Sequence, residues 1–296
     1  MKDQAEKLRS MAQTMKTNIE ADIVQGFQHT RVIAITSGKG GVGKTNLALN
    51  LAISIATMGR RVLLLDADMG LGNVDIILGL IPKHNLYHVI KREKDVKEII
   101  VTGPQGLKII PGGSGVQEMA NLSEHDLRRV VWDLGRLDGE SDYMIIDTGA
   151  GISNNVLCFV TAADEIIVIT TPEPTSMTDA YGIIKAASAR EAVGRISVIV
   201  NRVSSEGEGI LVGQKLKSVA QRFLGVEVEI LGYVLEDRAV EEAVMKQVPF
   251  VMGSPSSPAA RNVMAIARKY SDNGQFVKPN SQGLKSFFRS LAGFWK

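Results

Sequence analysis

The sequence predicts a doubly wound, mainly parallel α/β fold, and three observations carry that prediction. Short β-branched runs alternate with longer amphipathic stretches from residue 31 to residue 270. Most of those runs are near-continuous Val, Ile and Leu, the pattern of strands covered by helices on both faces. The first run, Val32-Ile33-Ala34-Ile35, feeds straight into a glycine-rich loop from which a helix opens at Lys44.

In chain order, strands are expected at residues 32–36, 62–66, 107–110, 143–147, 165–170, 196–200 and 228–233. Helices are expected at 44–58, 123–137, 153–162, 176–192 and 210–223, with Gly59 and Gly194 as C-terminal caps of two of them. Ser257-Pro258 opens a further helix, serine capping and proline at the first helical position. Nothing repeats, so residues 31–270 read as one domain. Residues 1–30 are polar, 271–282 form a Pro/Gly/Asn/Ser-rich linker, and 283–296 are amphipathic.

The loop is Ser37-Gly38-Lys39-Gly40-Gly41-Val42-Gly43-Lys44-Thr45. Its spacing, Gly38-x4-Gly43-Lys44-Thr45, is that of a phosphate-binding loop. Small residues let backbone N–H groups curl around an anion, Lys44 reaches the terminal phosphates, and the Thr45 hydroxyl is placed to hold Mg²⁺. In a doubly wound sheet ligands bind at the carboxyl ends of the strands, so acids that end predicted strands are candidates. Asp66-Ala67-Asp68 ends the second strand and is followed by Gly70 and Gly72. Asp147-Thr148-Gly149-Ala150-Gly151 ends another, and an aspartate there suits water-mediated contact to Mg²⁺.

Composition bounds the rest. The content of hydrophobic residues, 45%, is ordinary for a globular chain, and a net charge of +2 implies no polyanion partner. The single cysteine, Cys158, forbids an internal disulfide and, with no apolar export segment, is expected in the reducing cytosol. No run reaches the roughly 18–20 apolar residues that cross a bilayer, so membrane contact must be peripheral. His29, His84, His88 and His125 have no metal-ligand spacing and read as surface or structural residues.

Lys39, directly after the first glycine of the loop, is a lysine that ordinary phosphate loops do not need. With it the sequence resembles the deviant Walker A ATPases of the MinD/ParA family. That resemblance implies ATP with Mg²⁺, and a homodimer in which Lys39 reaches the partner subunit's nucleotide. It implies that Gly38, Lys39, Gly40, Gly41, Val42, Gly43, Lys44, Thr45 and Asn46 bind the nucleotide, that Thr45, Asp66 and Asp147 organise the metal shell, and that Lys39, Lys44 and Asp68 are catalytic, Asp68 positioning the attacking water. Asn201-Arg202 matches the stretch in which the family reads adenine with an asparagine flanked by an arginine. Pro172-Glu173-Pro174 resembles the segment that packs against the cross-subunit lysine. The nitrogenase iron protein shares this loop but needs two cysteines per subunit, so this chain is not one.

The tails choose within the family. Leu284, Phe287, Phe288, Leu291, Phe294 and Trp295 share one helical face, with Lys285, Arg289 and Lys296 interleaved. Such a segment is either an interfacial membrane helix or a terminal helix docked on the core; the linker before it and the terminal Trp and Lys favour a reversible anchor for anionic membranes. Asp3, Gln4, Ala5, Leu8 and Arg9 lie in a segment that resembles the activator motif of the MinD-like flagellar regulators, the FlhG (YlxH, FleN) group. There the segment stimulates FlhF, a GTPase of the signal-recognition-particle type, and flagellar C-ring proteins are further partners. The expectation is a cytosolic ATPase that attaches to the inner face of the membrane when ATP-bound and sets flagellar number and placement, with no nucleic-acid partner. The alternatives are a ParA-type DNA-partition ATPase, for which Arg261, Arg268 and Lys269 speak, a division-site MinD-like regulator, and a carboxylate-phosphorylating synthetase.

Overall fold

A computed structural model describes residues 29–68, 74–119, 121–190, 194–271 and 283–294. The chain runs β1 (Arg31–Ser37), α1 (Lys44–Thr57), β2 (Val62–Ala67), α2 (Val74–Leu78), α3 (Leu86–Ile90), β3 (Val101–Thr102), β4 (Lys108–Ile110), α4 (Ser114–Met119) and α5 (Glu124–Gly135). It continues through β5 (Tyr143–Ala150), α6 (Asn154–Ala162), β6 (Glu165–Thr170), α7 (Pro174–Ala189), β7 (Arg195–Val203), α8 (Glu206–Leu224) and β8 (Val228–Leu235). The helices α9 (Arg238–Met245), α10 (Phe250–Gly253), α11 (Pro258–Ser271) and α12 (Gly283–Phe294) follow.

The strands form one sheet in the order β3-β4-β2-β5-β1-β6-β7-β8. Every pairing is parallel except β3 with β4, so the predicted fold class holds. The central strands are buried on both faces because their side chains are apolar on both faces. Ile33 and Ile35 meet α1 and α11 on one side, while Val32 and Ala34 belong to the core that holds α5 and α6 on the other. A third cluster lies between α7, α8 and the far strands β6 to β8. All seven expected strands are present. The two-residue antiparallel edge β3 and the short helices α2, α3, α4, α9 and α10 carry too little periodicity to be legible in sequence.

Local chemistry sets the helix ends. Ser123, Ser153 and Ser205 accept N-cap hydrogen bonds at α5, α6 and α8. The cap at Ser205 starts α8 earlier than its apolar pattern predicts. Ser257 accepts from the Ala260 N–H at 3.2 Å, as its Ser-Pro signature predicts. Gly59 caps α1 as expected, left-handed at φ 82°. Gly194 does not cap α7, which closes at Arg190. Its lack of a side chain serves a close approach instead, since a Cβ there would lie 2.5 Å from the Ala163 carbonyl oxygen.

The C-terminal helix departs most from expectation. Leu284, Phe287, Phe288 and Leu291 are buried between α5, α6 and the start of β1, and among the described residues of that face only Phe294, 45% exposed, remains open. Phe287 lies 6.4 Å from Phe159 of α6 between ring centroids, and the Lys285 ammonium sits 5.9 Å above the Trp132 ring of α5. The face expected to be open to lipid is docked on protein, because an apolar helix face satisfies either environment. Trp295 and Lys296, the activator motif from Asp3 to Arg9 and the linker from residue 272 to 282 lie outside the described residues.

Candidate active site

β1 delivers the phosphate loop to the carboxyl edge of the sheet, between β5 and β6. Gly41 and Gly43 hold left-handed φ values of 80° and 87°, which close the loop without a Cβ clash. Gly38 is needed for another reason: a Cβ there would lie 2.2 Å from the Asp179 carbonyl oxygen of α7. Gly40 and Gly41 are exposed at the tip, Val42 is buried beneath it, and Thr45 and Asn46 occupy the first turn of α1, half-buried. The free N–H groups of that turn and the positive helix end face the loop's concavity.

Lys44, 7% exposed, donates to Asp147 Oδ1 at 2.7 Å. Burial pushes the Asp147 carboxyl above the usual carboxylate range, and Lys44 pulls it back. Asp66 lies beside Asp147 in the β2–β5 ladder and accepts the backbone N–H groups of Asp68 and Val74 at 3.2 and 3.3 Å. Burial first, and the Asp147 charge second, push the Asp66 carboxyl up to about 7. The half-buried Asp68 puts a carboxylate oxygen 3.8 Å from where a Cβ on Gly149 would stand, so the ends of β2 and β5 face one another.

These residues fit Mg²⁺. Asp147 Oδ2 is buried with no hydrogen-bond partner, and beside it stands the Asp66 carboxyl, pushed up by burial and by the Asp147 charge. No cluster of three or more acidic, His or Cys ligands occurs among the described residues, and Mg²⁺ needs none, since it is usually held by several waters and phosphate oxygens with only one or two protein oxygens. When bound, the ion would neutralise the negative charge that develops on the phosphates. Thr45 and Asp147 would hold it, with Asp66 beside them. For Lys44 to reach a bound phosphate it would have to leave Asp147.

Lys39 is turned out of its own loop. Its ammonium donates to Glu173 Oε2 at 2.6 Å and to Thr175 Oγ1 at 3.2 Å. The contact draws the Glu173 carboxyl below its usual range, with Arg202 adding a smaller pull. Thr175 carries no motif signal, and only the tertiary fold brings it to Lys39. Asn201 donates from Nδ2 to the Val42 carbonyl at 2.7 Å, which fixes the amide and leaves Oδ1 to accept. That is the polarity an adenine amine requires and a guanine carbonyl does not. Arg202 follows, exposed and left-handed at φ 55°. None of the four histidines joins this group; His88, for one, completes the capping box of α3.

A family profile described as "AAA domain" matches residues 30–191. The antiactivator FleN of Pseudomonas aeruginosa is 41% identical over 245 residues, 82% of this chain and 88% of that one. The flagellum site-determining protein YlxH of Helicobacter pylori is 34% identical, covering 89% of this chain and 90% of that one. Among solved structures, the septum site-determining protein MinD of Pyrococcus horikoshii, complexed with Mg-ADP, aligns with a TM-score of 0.68 at 25% identity, over 82% of this chain and 96% of that one. Identity of this depth along most of both chains, over a phosphate loop that turns its extra lysine outward, makes the chain a MinD/ParA-family P-loop ATPase of the branch that holds FleN and YlxH.

Proposed function

We propose that the protein is an ATP-gated switch that sets flagellar number and placement, dimerising on ATP and attaching to the inner face of the cell membrane through α12. Lys39 carries the reading. Its ammonium serves no group of its own loop and rests on an exposed acid, a pair that exchanges readily in water. When two loops face one another it becomes available to the partner's nucleotide, as a charge-stabilising residue supplied in trans.

Membrane attachment requires α12 to leave its groove. The face of Leu284, Phe287, Phe288, Leu291 and Phe294 that docks on α5 and α6 would then enter the lipid boundary, with Lys285 and Arg289 at the headgroups. One such helix binds weakly, and two on one dimer gain from effective concentration. Attachment thereby follows dimerisation, and dimerisation follows ATP. Relatives named for antiactivation and for flagellum siting support the flagellar role. The finer partners rest on the resemblance of the N-terminal segment: Gln4 and Arg9 would act on the GTPase FlhF, and the C-ring proteins would be the assembly regulated.

Light scattering with ATP tests the core of this reading. Lys39→Ala should stay monomeric while still binding nucleotide, and Asp68→Ala should accumulate the dimer by slowing hydrolysis. A fully dimeric Lys39→Ala protein overturns the cross-subunit role. Wild type should sediment with anionic liposomes in ATP and not in ADP. A peptide of residues 1–20 should raise the GTPase rate of FlhF, and less so with Gln4→Ala.

A further inference from the structure

Two separated parts of the chain meet at one carboxylate. Asp138, in the turn between α5 and β5, accepts the Thr30 backbone N–H at 3.0 Å and the Leu284 backbone N–H at 3.2 Å, both on Oδ1. Its Oδ2 lies 3.0 Å from His29 Nδ1. The first bond holds the segment that enters β1, and the second caps α12, satisfying one of its orphan donors and placing negative charge at the positive end of the helix. Gly283 is seated hard against this pair. It is left-handed at φ 73°, and a Cβ there would lie 2.5 Å from Asp138 Oδ2 and 2.8 Å from His29 Nδ1.

The surroundings make the turn a fixed point. Thr30 Oγ1 donates to the Ser141 carbonyl at 2.7 Å and accepts the Gly139 N–H at 3.0 Å, so residues 138–141 and Thr30 form one knot. One residue on, Arg31 donates to the buried Glu165 at 2.7 Å, and Glu165 accepts the Tyr270 hydroxyl at 2.9 Å. Tyr270 lies at the end of α11, where the connection to α12 departs, and its carbonyl accepts the Tyr143 hydroxyl at 2.7 Å. The entry to β1 therefore touches the anchors of both ends of that connection. Arg31 itself belongs to a central strand and is fixed by the Asp142 carbonyl. Displacement upstream of it falls on His29, Thr30 and Asp138.

We propose that Asp138 is a latch shared by both chain ends, holding α12 in its groove only while His29 and Thr30 remain seated on it. The apolar face of α12 supplies the adhesion, and Asp138 sets how firmly the first turn is held. A partner whose engagement upstream unseats His29 and Thr30 from Asp138 then loosens the C-terminal helix, so that engagement before β1 is reported at α12. The inference rests on α12 being able to leave its groove, as the functional reading requires, but not on its meeting a membrane.

Hydrogen exchange on the full-length, nucleotide-free protein tests the latch directly. Asp138→Ala and Gly283→Ala should each speed exchange across residues 284–294 about tenfold, with exchange in β5 and ATP binding unchanged. His29→Ala should give a smaller rise in the wild-type background and none beyond it in Asp138→Ala, because its effect runs through that carboxylate. Unchanged exchange in Gly283→Ala, a substitution outside the sheet core, overturns the proposal even if Asp138→Ala fails to fold. An equal effect of His29→Ala in both backgrounds overturns the coupling. Liposome binding plays no part in either readout, so failure of the membrane reading is seen separately.

Discussion

Removing the charge of Lys44 should destabilise the nucleotide-free protein as well as abolish ATP binding, and the two effects can be separated. Lys44 and Asp147 are both buried and 2.7 Å apart, so Lys44→Met leaves a carboxyl in the core without its cation. Breaking a buried pair from one side costs about 3–5 kcal/mol, whereas replacing both partners by neutral groups is close to neutral. For a domain of this size that cost is a fall in Tm of about 6–20 °C. The double variant Lys44→Met/Asp147→Asn should recover most of the loss while still failing to bind ATP. The pH dependence has a definite sign. Burial raises the Asp147 carboxyl in the folded state, and without Lys44 only the weaker hydrogen bond from Thr45 is left to pull it back. A carboxyl raised on folding favours the folded state at low pH and loses that advantage as pH climbs from about 4, the unfolded value. The Tm deficit of Lys44→Met should therefore be wider at pH 8 than at pH 5, and the double variant should show no such slope. Thermal unfolding without nucleotide at the two pH values, with ATP binding measured in parallel, decides the matter. A single variant whose Tm matches the double variant at pH 8 would refute the buried-pair argument.

Other substitutions probe the rest of the site. Asp66→Asn should raise the Tm of the nucleotide-free protein more at pH 8 than at pH 5, because the Asp66 carboxyl, pushed up to about 7, loses stability as pH rises from about 4 through 7; ATP hydrolysis should fall in the same protein. Asn201→Ala removes the hydrogen bond to Val42, worth about 1 kcal/mol net, and the free acceptor beside it, so ATP should bind several-fold more weakly and the preference over GTP should shrink in a competition assay. Gly38→Ala should cost about 1–3 kcal/mol through overpacking against Asp179 and impair nucleotide binding, both read by unfolding in the presence and absence of ATP. Phe288→Ala should cost about 3–5 kcal/mol of packing, and a protease should then cut α12 before the core.

What the sequence determined by itself is local. Val32 to Ile35 running into the glycine loop, Asp66 next to the end of a strand, and Ser257-Pro258 opening a helix all lie within a few residues of the signal that announces them, whereas β5 runs past Asp147 to Ala150. Backbone periodicity, turn chemistry and capping act over that range, which is why the sheet and the phosphate loop could be read in advance. The tertiary structure decided the pairings that join distant residues: Lys44 with Asp147, Asn201 with the Val42 carbonyl, Lys39 with Thr175, and Asp138 with both His29 and Leu284. Gly194 shows the same limit, since a glycine at a presumed helix end and one in a close approach look alike until the Ala163 backbone is in place. The C-terminal helix shows it most fully. Its apolar stripe establishes that one face must leave water, but a lipid surface and a groove between α5 and α6 remove apolar area from water by the same physics. Only the folded chain supplies the groove.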